Sequence, residues 1–252
     1  QDMQTQLSIM GSYEFFDGAN SDAKIMVDYF KESFNDNDLD STVSSVSLPF
    51  SYYLDQYRLR VTPAVMRYSL SGENVLNYAS SRFDLTRKIN NKSLGDTKVG
   101  VQYGYTQKSP QQASYADYEG DSQNIKAYVN FKNGSSRVKF NVNVFGNNYL
   151  DEYSSNDGFY VKAKYNQYYQ NSGFALSAKV KSTQYIVDPL LSDEAREDVQ
   201  LTLSYLQDYY VSDITQLYFN SEYTNNKSNI NFTDENYNYS QWVNTLGMRF
   251  VF

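Results

Sequence analysis

Along most of this chain, apolar and polar residues take turns at every second position. The clearest case is 240–252, where Trp242, Leu246, Met248, Phe250 and Phe252 fall on one side and Gln241, Thr245, Gly247 and Arg249 on the other. A period of two is the mark of an extended strand with two unlike faces. The same alternation recurs at 23–34, 42–54, 57–70, 97–108, 123–132, 136–147, 158–170, 174–185, 199–211 and 214–224, and more weakly at 80–89. That pattern predicts about twelve strands. Most run to ~10–13 residues, longer than the ~5–6 of soluble sheets and suited to a tilted membrane strand.

The gaps alternate too. Short ones at 55–56, 133–135, 171–173 and 212–213 trade places with long ones at 109–122, 148–157, 186–198 and 225–239. Asn133-Gly134 is a dipeptide suited to a tight hairpin turn with positive φ. Residues 5–16 also alternate, with Leu7, Ile9, Tyr13 and Phe15 on one side, but as a wall strand they would make the count odd. Residues 1–22 are therefore expected as a lumen plug or at the periplasmic rim, with 23–252 forming the sheet; the alternative is that they belong to a fourteen-strand sheet with one further strand elsewhere. Pro49 and Pro63 fall inside strands, remove ladder donors, and predict a bulge or bend at each.

Composition sharpens this picture. The chain is 40% hydrophobic and 17% aromatic, with 26 Tyr and 15 Phe, yet its mean hydropathy is -0.65. A membrane sheet explains both facts, because only its lipid face must be apolar. No stretch approaches the ~20 apolar residues of a spanning helix, so a closed sheet is the remaining way to satisfy the backbone in lipid. There is no cysteine, which removes disulfides and thiolate metal sites. The start, Gln1-Asp2-Met3, is polar, and a leader removed before it is the expectation. The formal net charge of -7 argues against a nucleic-acid partner.

The end of the chain, with Met248, Phe250 and Phe252 alternating up to an aromatic terminus, resembles the closing strand of bacterial outer-membrane β-barrels. In those proteins that pattern helps the barrel assembly machinery. Ser47-Leu48-Pro49-Phe50, and Leu94-Gly95-Asp96-Thr97 followed by Gly100 and Tyr103, look like a pattern of outer-membrane porin and transporter families. The resemblance implies an all-β, transmembrane, antiparallel up-and-down barrel of about twelve strands, with fourteen as the alternative. It implies a bacterial outer-membrane location, with lipid, lipopolysaccharide and the assembly machinery as partners. It carries no ligand. The twelve-strand size, with Lys162, Lys164, Lys179 and Lys181 at the polar positions of consecutive strands, also resembles twelve-stranded porins for acidic oligosaccharides.

The absence of histidine bears on enzyme function. Outer-membrane proteases, phospholipases and lipid-A acyl enzymes resemble one another in needing a histidine base, the usual proton acceptor near neutral pH. A carboxylate pair of the glycosidase kind is the route left open. The expectation is no catalysis, no cofactor and no metal. Asn35-Asp36-Asn37-Asp38-Leu39-Asp40 offers oxygen ligands but lacks the Gly and distal Glu of an EF-hand, and reads as solvated loop.

If the apolar face meets lipid, the other face lines a lumen, and its charges are mostly positive although the chain is acidic. The candidate anion-binding residues are Lys126, Lys139, Lys162, Lys164, Lys179, Lys181, Arg58, Arg60, Arg137 and Arg249, interleaved with Tyr128, Tyr160 and Tyr168. Such a wall concentrates anions, while tyrosine and asparagine suit a sugar ring. The pattern predicts a passive channel for small anionic solutes, acidic oligosaccharides among them. The alternatives are an export or assembly pore for a secreted polymer, and a closed barrel acting as adhesin or receptor through its long loops.

Overall fold

The computed structural model describes residues 4–34, 40–91, 95–186, 194–212, 215–230 and 237–250. The chain is all-β: β1 (Gln4–Gly18), β2 (Ser21–Phe34), β3 (Ser41–Ser47), β4 (Phe50–Leu54), β5 (Tyr57–Leu70), β6 (Glu73–Asn91), β7 (Gly95–Pro110), β8 (Gly120–Asn133), β9 (Ser136–Tyr149), β10 (Asn156–Tyr168), β11 (Ser172–Tyr185), β12 (Glu197–Tyr210), β13 (Thr215–Ser228) and β14 (Tyr239–Phe250). Two short 3₁₀ turns, Ala113–Tyr118 and Glu152–Ser154, lie in long connections. The strands form one up-and-down antiparallel sheet in chain order, with β3 and β4 sharing the place between β2 and β5.

Among the described residues the count is fourteen strands, the alternative rather than the favoured twelve, and both additions have a physical cause. Residues 4–18, expected in the lumen or at the rim, instead form β1, hydrogen-bonded to β2 from Gln4↔Phe34 to Gly18↔Ser21. The segment 42–54 is split in two by Pro49. The break is not the predicted bulge: Ser47↔Ala64 and Phe50↔Val61 keep one register across it. Leu48 and Pro49 simply lie across from Thr62 and Pro63, so two donors are missing from one spot of the ladder. The carbonyls there stay occupied, Pro49 O accepting from Lys24 N at 3.0 Å and Pro63 O from Leu48 N at 3.0 Å. The register shifts fall elsewhere, between Glu14 and Phe16 and between Tyr68 and Ser69.

The second shift lies in the part of β6 before residue 80, where alternation predicts no strand. Val75 is the extra residue opposite the Tyr68–Ser69 step, and it is buried at 2% exposure. It throws the alternation of β6 out of phase. The turn before it, Ser71-Gly72, has φ of 49° and 82°, the positive pair of a two-residue hairpin, so β6 starts at Glu73 without a long loop.

The chain divides into two compact units. The first is Gln1–Arg87, Val101–Ile125 and Gly146–Ser155; the second is Lys88–Gly100, Lys126–Phe145 and Asn156–Phe252. Each has the same inverted layering. On the apolar face Leu59, Val65, Leu85 and Val101 of the first unit are exposed, as are Val144, Phe159, Leu176 and Val180 of the second. The buried apolar side chains among the described residues are only Ala23, Val75 and Ala175, whereas Ser51, Thr86, Asn143, Thr183 and Gln216 are buried. Removing a large apolar side chain from water is worth roughly 1.5–3 kcal/mol. Rows of them left in water would forfeit far more than the ~5–15 kcal/mol that holds a domain together. This sheet is built for an apolar surrounding.

Two outcomes follow from that layering. Trp242 is the single tryptophan, 65% exposed, its ring 4.9 Å from that of Tyr223. Its emission should be blue-shifted in lipid vesicles and quenched by brominated acyl chains; a water-like, unquenched emission would place that face in solvent. On the polar face Gly247 lies opposite Tyr218, and a Cβ there would land on the tyrosine ring. Gly247→Val should cost ~1–3 kcal/mol in urea unfolding of the detergent-folded chain, while Gly146→Val, with nothing within 4 Å of its Cβ, should be far milder.

Candidate functional site

The second unit gathers cations on its polar face by strand geometry alone. β8 alternates Lys126 and Tyr128 with Ile125 and Ala127, and β9 alternates Lys139, Asn141 and Asn143 with Val138, Phe140 and Val142. β10 supplies Tyr160, Lys162, Lys164 and Asn166, and β11 supplies Lys179 and Lys181. The β10–β11 register then sets Lys162 directly across from Lys179, Lys181 across from Tyr160, and Lys164 across from Ser177. Like charges opposite each other destabilise a sheet by up to about 1 kcal/mol. On the far side β12 offers no relief at that level, since Lys179 faces Thr202 and Lys181 faces Gln200.

Aromatic rings lie against four of the basic groups on this face. Lys179 Nζ lies 4.9 Å from the Tyr160 ring centre, Lys181 Nζ 4.9 Å from Phe145, Lys126 Nζ 5.9 Å from Tyr128, and the Arg137 guanidinium 5.2 Å from Tyr168. A cation over an aromatic face gains about 0.5–2 kcal/mol without giving up its hydrogen-bond donors. Lys139 and Lys162 both act on the charge of Lys164, as Lys162 and Lys181 act on Lys179. Opposing charges are felt from Asp208 at Lys164, from Glu222 at Lys179 and from Asp198 at Lys181. Among the described residues, no carboxylate forms an ion pair with Lys139, Lys162, Lys164, Lys179 or Lys181.

Arg58 and Arg60 do not belong with this ladder. They lie in the first unit, in a polar network. Arg58 Nη2 is 3.1 Å from Asp84 Oδ1 and donates to Thr86 Oγ1 at 3.3 Å, and Thr86 donates to the same Asp84 oxygen at 2.6 Å. Arg60 Nε donates to the fully buried Ser51 at 3.0 Å, and Tyr53 donates to Asp22 at 2.6 Å. Lys24 pairs with Glu14 at 3.3 Å. Arg58 and Lys24 are thus matched by carboxylates, and Arg60 is held by a hydroxyl. Met248 is on the apolar face and exposed, whereas Phe252 and the side chains of Arg249 and Phe250 lie outside the described residues. So do 35–39, which hold most of the oxygen-rich stretch; among the described residues no cluster of three or more acidic side chains could hold a metal.

Two features escape a reading by alternation. Phe145 faces the polar side, a parity visible from Asn143 onward but masked by its apolar character. Arg196, in the connection before β12, is sandwiched between Tyr185 at 3.8 Å and Tyr237 at 4.0 Å and pairs with Asp198 at 3.0 Å. Asn229 fastens the same corner, donating to Ala195 O at 3.0 Å and accepting from Glu197 N at 2.7 Å. No signal in a loop sequence announces such a clasp, because Tyr237 and Asn229 come from beyond β12 and β13.

No family model and no curated protein matches the chain. Among solved structures, it is similar to CdiB from Acinetobacter baumannii, with a TM-score of 0.53 at 13% identity over 98% of this chain and 53% of that one. The chain thus spans about half the length of that protein. It is also similar to a loop L8 deletion mutant of OmpT, an outer membrane protein of Vibrio cholerae, with a TM-score of 0.46 at 8% identity over 99% of this chain and 96% of that one. An antiparallel up-and-down sheet of fourteen strands among the described residues, with an exposed apolar face, gives this chain a fold like that of outer-membrane β-barrel proteins.

Proposed function

We propose that the sheet closes in the bacterial outer membrane with its polar face inward, and that small anionic solutes pass along the lysine ladder. The observation that carries this reading is Lys162 set across from Lys179, with Lys139, Lys164 and Lys181 around them and no carboxylate in ion-pair contact among the described residues. A structural role would be served by neutralised cations, as at Arg58 and Asp84. Unneutralised ones, turned away from an apolar face, attract a mobile counter-ion instead. A low-dielectric wall focuses that field and raises the local anion concentration.

The neighbours of the ladder suggest the class of anion. Tyr160 and Phe145 present rings, and Asn141, Asn143 and Asn166 present amides, beside the ammonium groups. A carboxylated sugar offers a matching set: an anionic group for the lysines, hydroxyls for the amides and a flat C–H face for a ring. Transport of this kind is passive. No bond is made or broken, and binding must be weak enough for release.

The reversal potential of the chain in planar bilayers under a salt gradient tests the reading. The expected sign is anion-preferring, and the preference should fade toward 1 M salt as the screening length drops from ~10 Å to ~3 Å. Lys162→Glu combined with Lys179→Glu should lower the anion-to-cation permeability ratio at least roughly tenfold and reverse the preference. A channel whose selectivity ignores both substitutions, or a folded chain that conducts nothing, would overturn the proposal.

A further inference from the structure

The apolar face of the first unit carries a cation where lipid contact would not call for one. Arg67 is on that face of β5, opposite Ser44 of β3 on one side and Asn77 of β6 on the other. One register step along, Val46 faces both Val27 and Val65, and Val65 faces Ala79. These short side chains leave a trough of about 480 Å³, with Arg67, Ser44 and Asn77 at one end. A second hollow of about 360 Å³ shares Val46, Val65 and Ala79 and continues past Leu48 and Pro63. The whole is shaped like an amphiphile: a basic, hydrogen-bonding head and a narrow apolar tail.

Arg67 is exposed, and among the described residues no carboxylate pairs with it, in contrast to Lys31 on the same face, which is 3.1 Å from Asp40. It stands three residues before the end of β5, about 10 Å from the strand's edge at the rise of a strand, a depth at which a long side chain reaches the headgroup layer. Arg67 to Pro63 spans about 13 Å, enough to seat much of one acyl chain. Guanidinium is the side chain best matched to a phosphate, which it grips through two parallel N–H donors, and a serine hydroxyl and an asparagine amide add two more.

We propose that this trough is a binding site for one phosphate-bearing membrane lipid, with its acyl chain along Val46 and Val65 and its phosphate held by Arg67, Ser44 and Asn77. The proposal rests on the membrane reading but not on the lysine ladder, which faces the other way. A second protein copy fits less well, since a narrow groove ending in one unpaired cation matches one anionic chain better than a broad surface.

Native mass spectrometry of the chain in neutral detergent, with phosphatidic acid and with diacylglycerol of the same chains, provides the test. Phosphatidic acid should bind at 1:1, and diacylglycerol at least roughly tenfold more weakly, as loss of a charged hydrogen-bond partner implies. Arg67→Ala should bring phosphatidic acid down to the diacylglycerol level. Val46→Trp, which fills the trough and keeps the charge, should also abolish retention, with Ala79→Leu as a second filler should the first not fold. Equal binding of the two lipids, or undiminished binding in Arg67→Ala or in a folded filler variant, overturns the site. Failure of the membrane reading would look different: a folded monomer in the absence of any detergent.

Discussion

A slip of one residue between β10 and β11 would carry Lys162, Lys164, Lys179 and Lys181 onto opposite faces from their present partners and put cations into the apolar layer. Side-chain period is two, so register decides everything about which surface a residue meets. A lysine on the lipid side costs ~2–4 kcal/mol at mid-membrane, so even one misplaced pair outweighs the worth of any single cross-strand contact. The β10–β11 ladder holds one register from Asn156↔Tyr185 to Tyr168↔Gly173, and β11–β12 and β12–β13 hold theirs as unbroken runs. Specific pairs fix the setting, among them the Ser177–Ser204 hydroxyl contact at 2.6 Å and the edge-on rings of Tyr165 and Phe174 at 5.8 Å. Alternation supplies the penalty for error, and these contacts choose the frame.

Once the faces are fixed, charge on the polar face can be either spent on structure or kept for a ligand, and the two units differ in this. In the first, Arg58 and Arg60 are tied to Asp84, Thr86 and Ser51, and Asp22 is held by Tyr53. Such a network is close to neutral and rigid, and removing one member would strand a buried charge. In the second, the acids Asp208 and Glu222 sit near enough to be felt by the lysines without forming ion pairs to them. Rings do the positioning there. Cation–aromatic contact orients an ammonium while leaving its charge uncompensated, which suits a surface that must attract anions and release them.

How much of this is legible in the chain depends on whether the relevant rule is local. Alternation predicts 57–70, and β5 is Tyr57–Leu70; it predicts 136–147 and 174–185, and β9 and β11 extend those by a few residues. Each rests on a two-residue rhythm that any window contains. The start of β6 is invisible because Val75, turned inside as an unpaired residue, resets the rhythm, and its apolar face there is Asn77, Ala79 and Ser81. β1 looks dispensable because parity arguments count strands, whereas the chain settles the matter by pairing Gln4–Gly18 with its neighbour. The lysines of the ladder can be assigned a face from sequence, but that Lys162 meets Lys179 while Arg58 meets Asp84 is a matter of register across turns. No single strand contains it.

Tyrosine resolves the tension between high aromatic content and a mean hydropathy of -0.65. Near one end of β10, Tyr165 donates its hydroxyl to Gln167 Oε1 at 2.7 Å, and Gln167 in turn donates to Tyr168 O at 3.4 Å. Near the same end of β12, Tyr205 donates to Gln207 Oε1 at 2.7 Å, and Gln207 donates to Asp208 O at 3.3 Å. The two strands have arrived at one device. A ring covers the apolar face, its hydroxyl points toward the strand end, and a glutamine two residues on receives it and passes the bond to the backbone. Phenylalanine would cover as much area without the hydrogen bond to the glutamine, and serine would leave the face bare. Where an apolar layer gives way to water within one or two residues, a side chain with an oily body and a polar tip is the economical solution. A chain that must make that transition at both ends of many strands grows rich in tyrosine while staying polar on average.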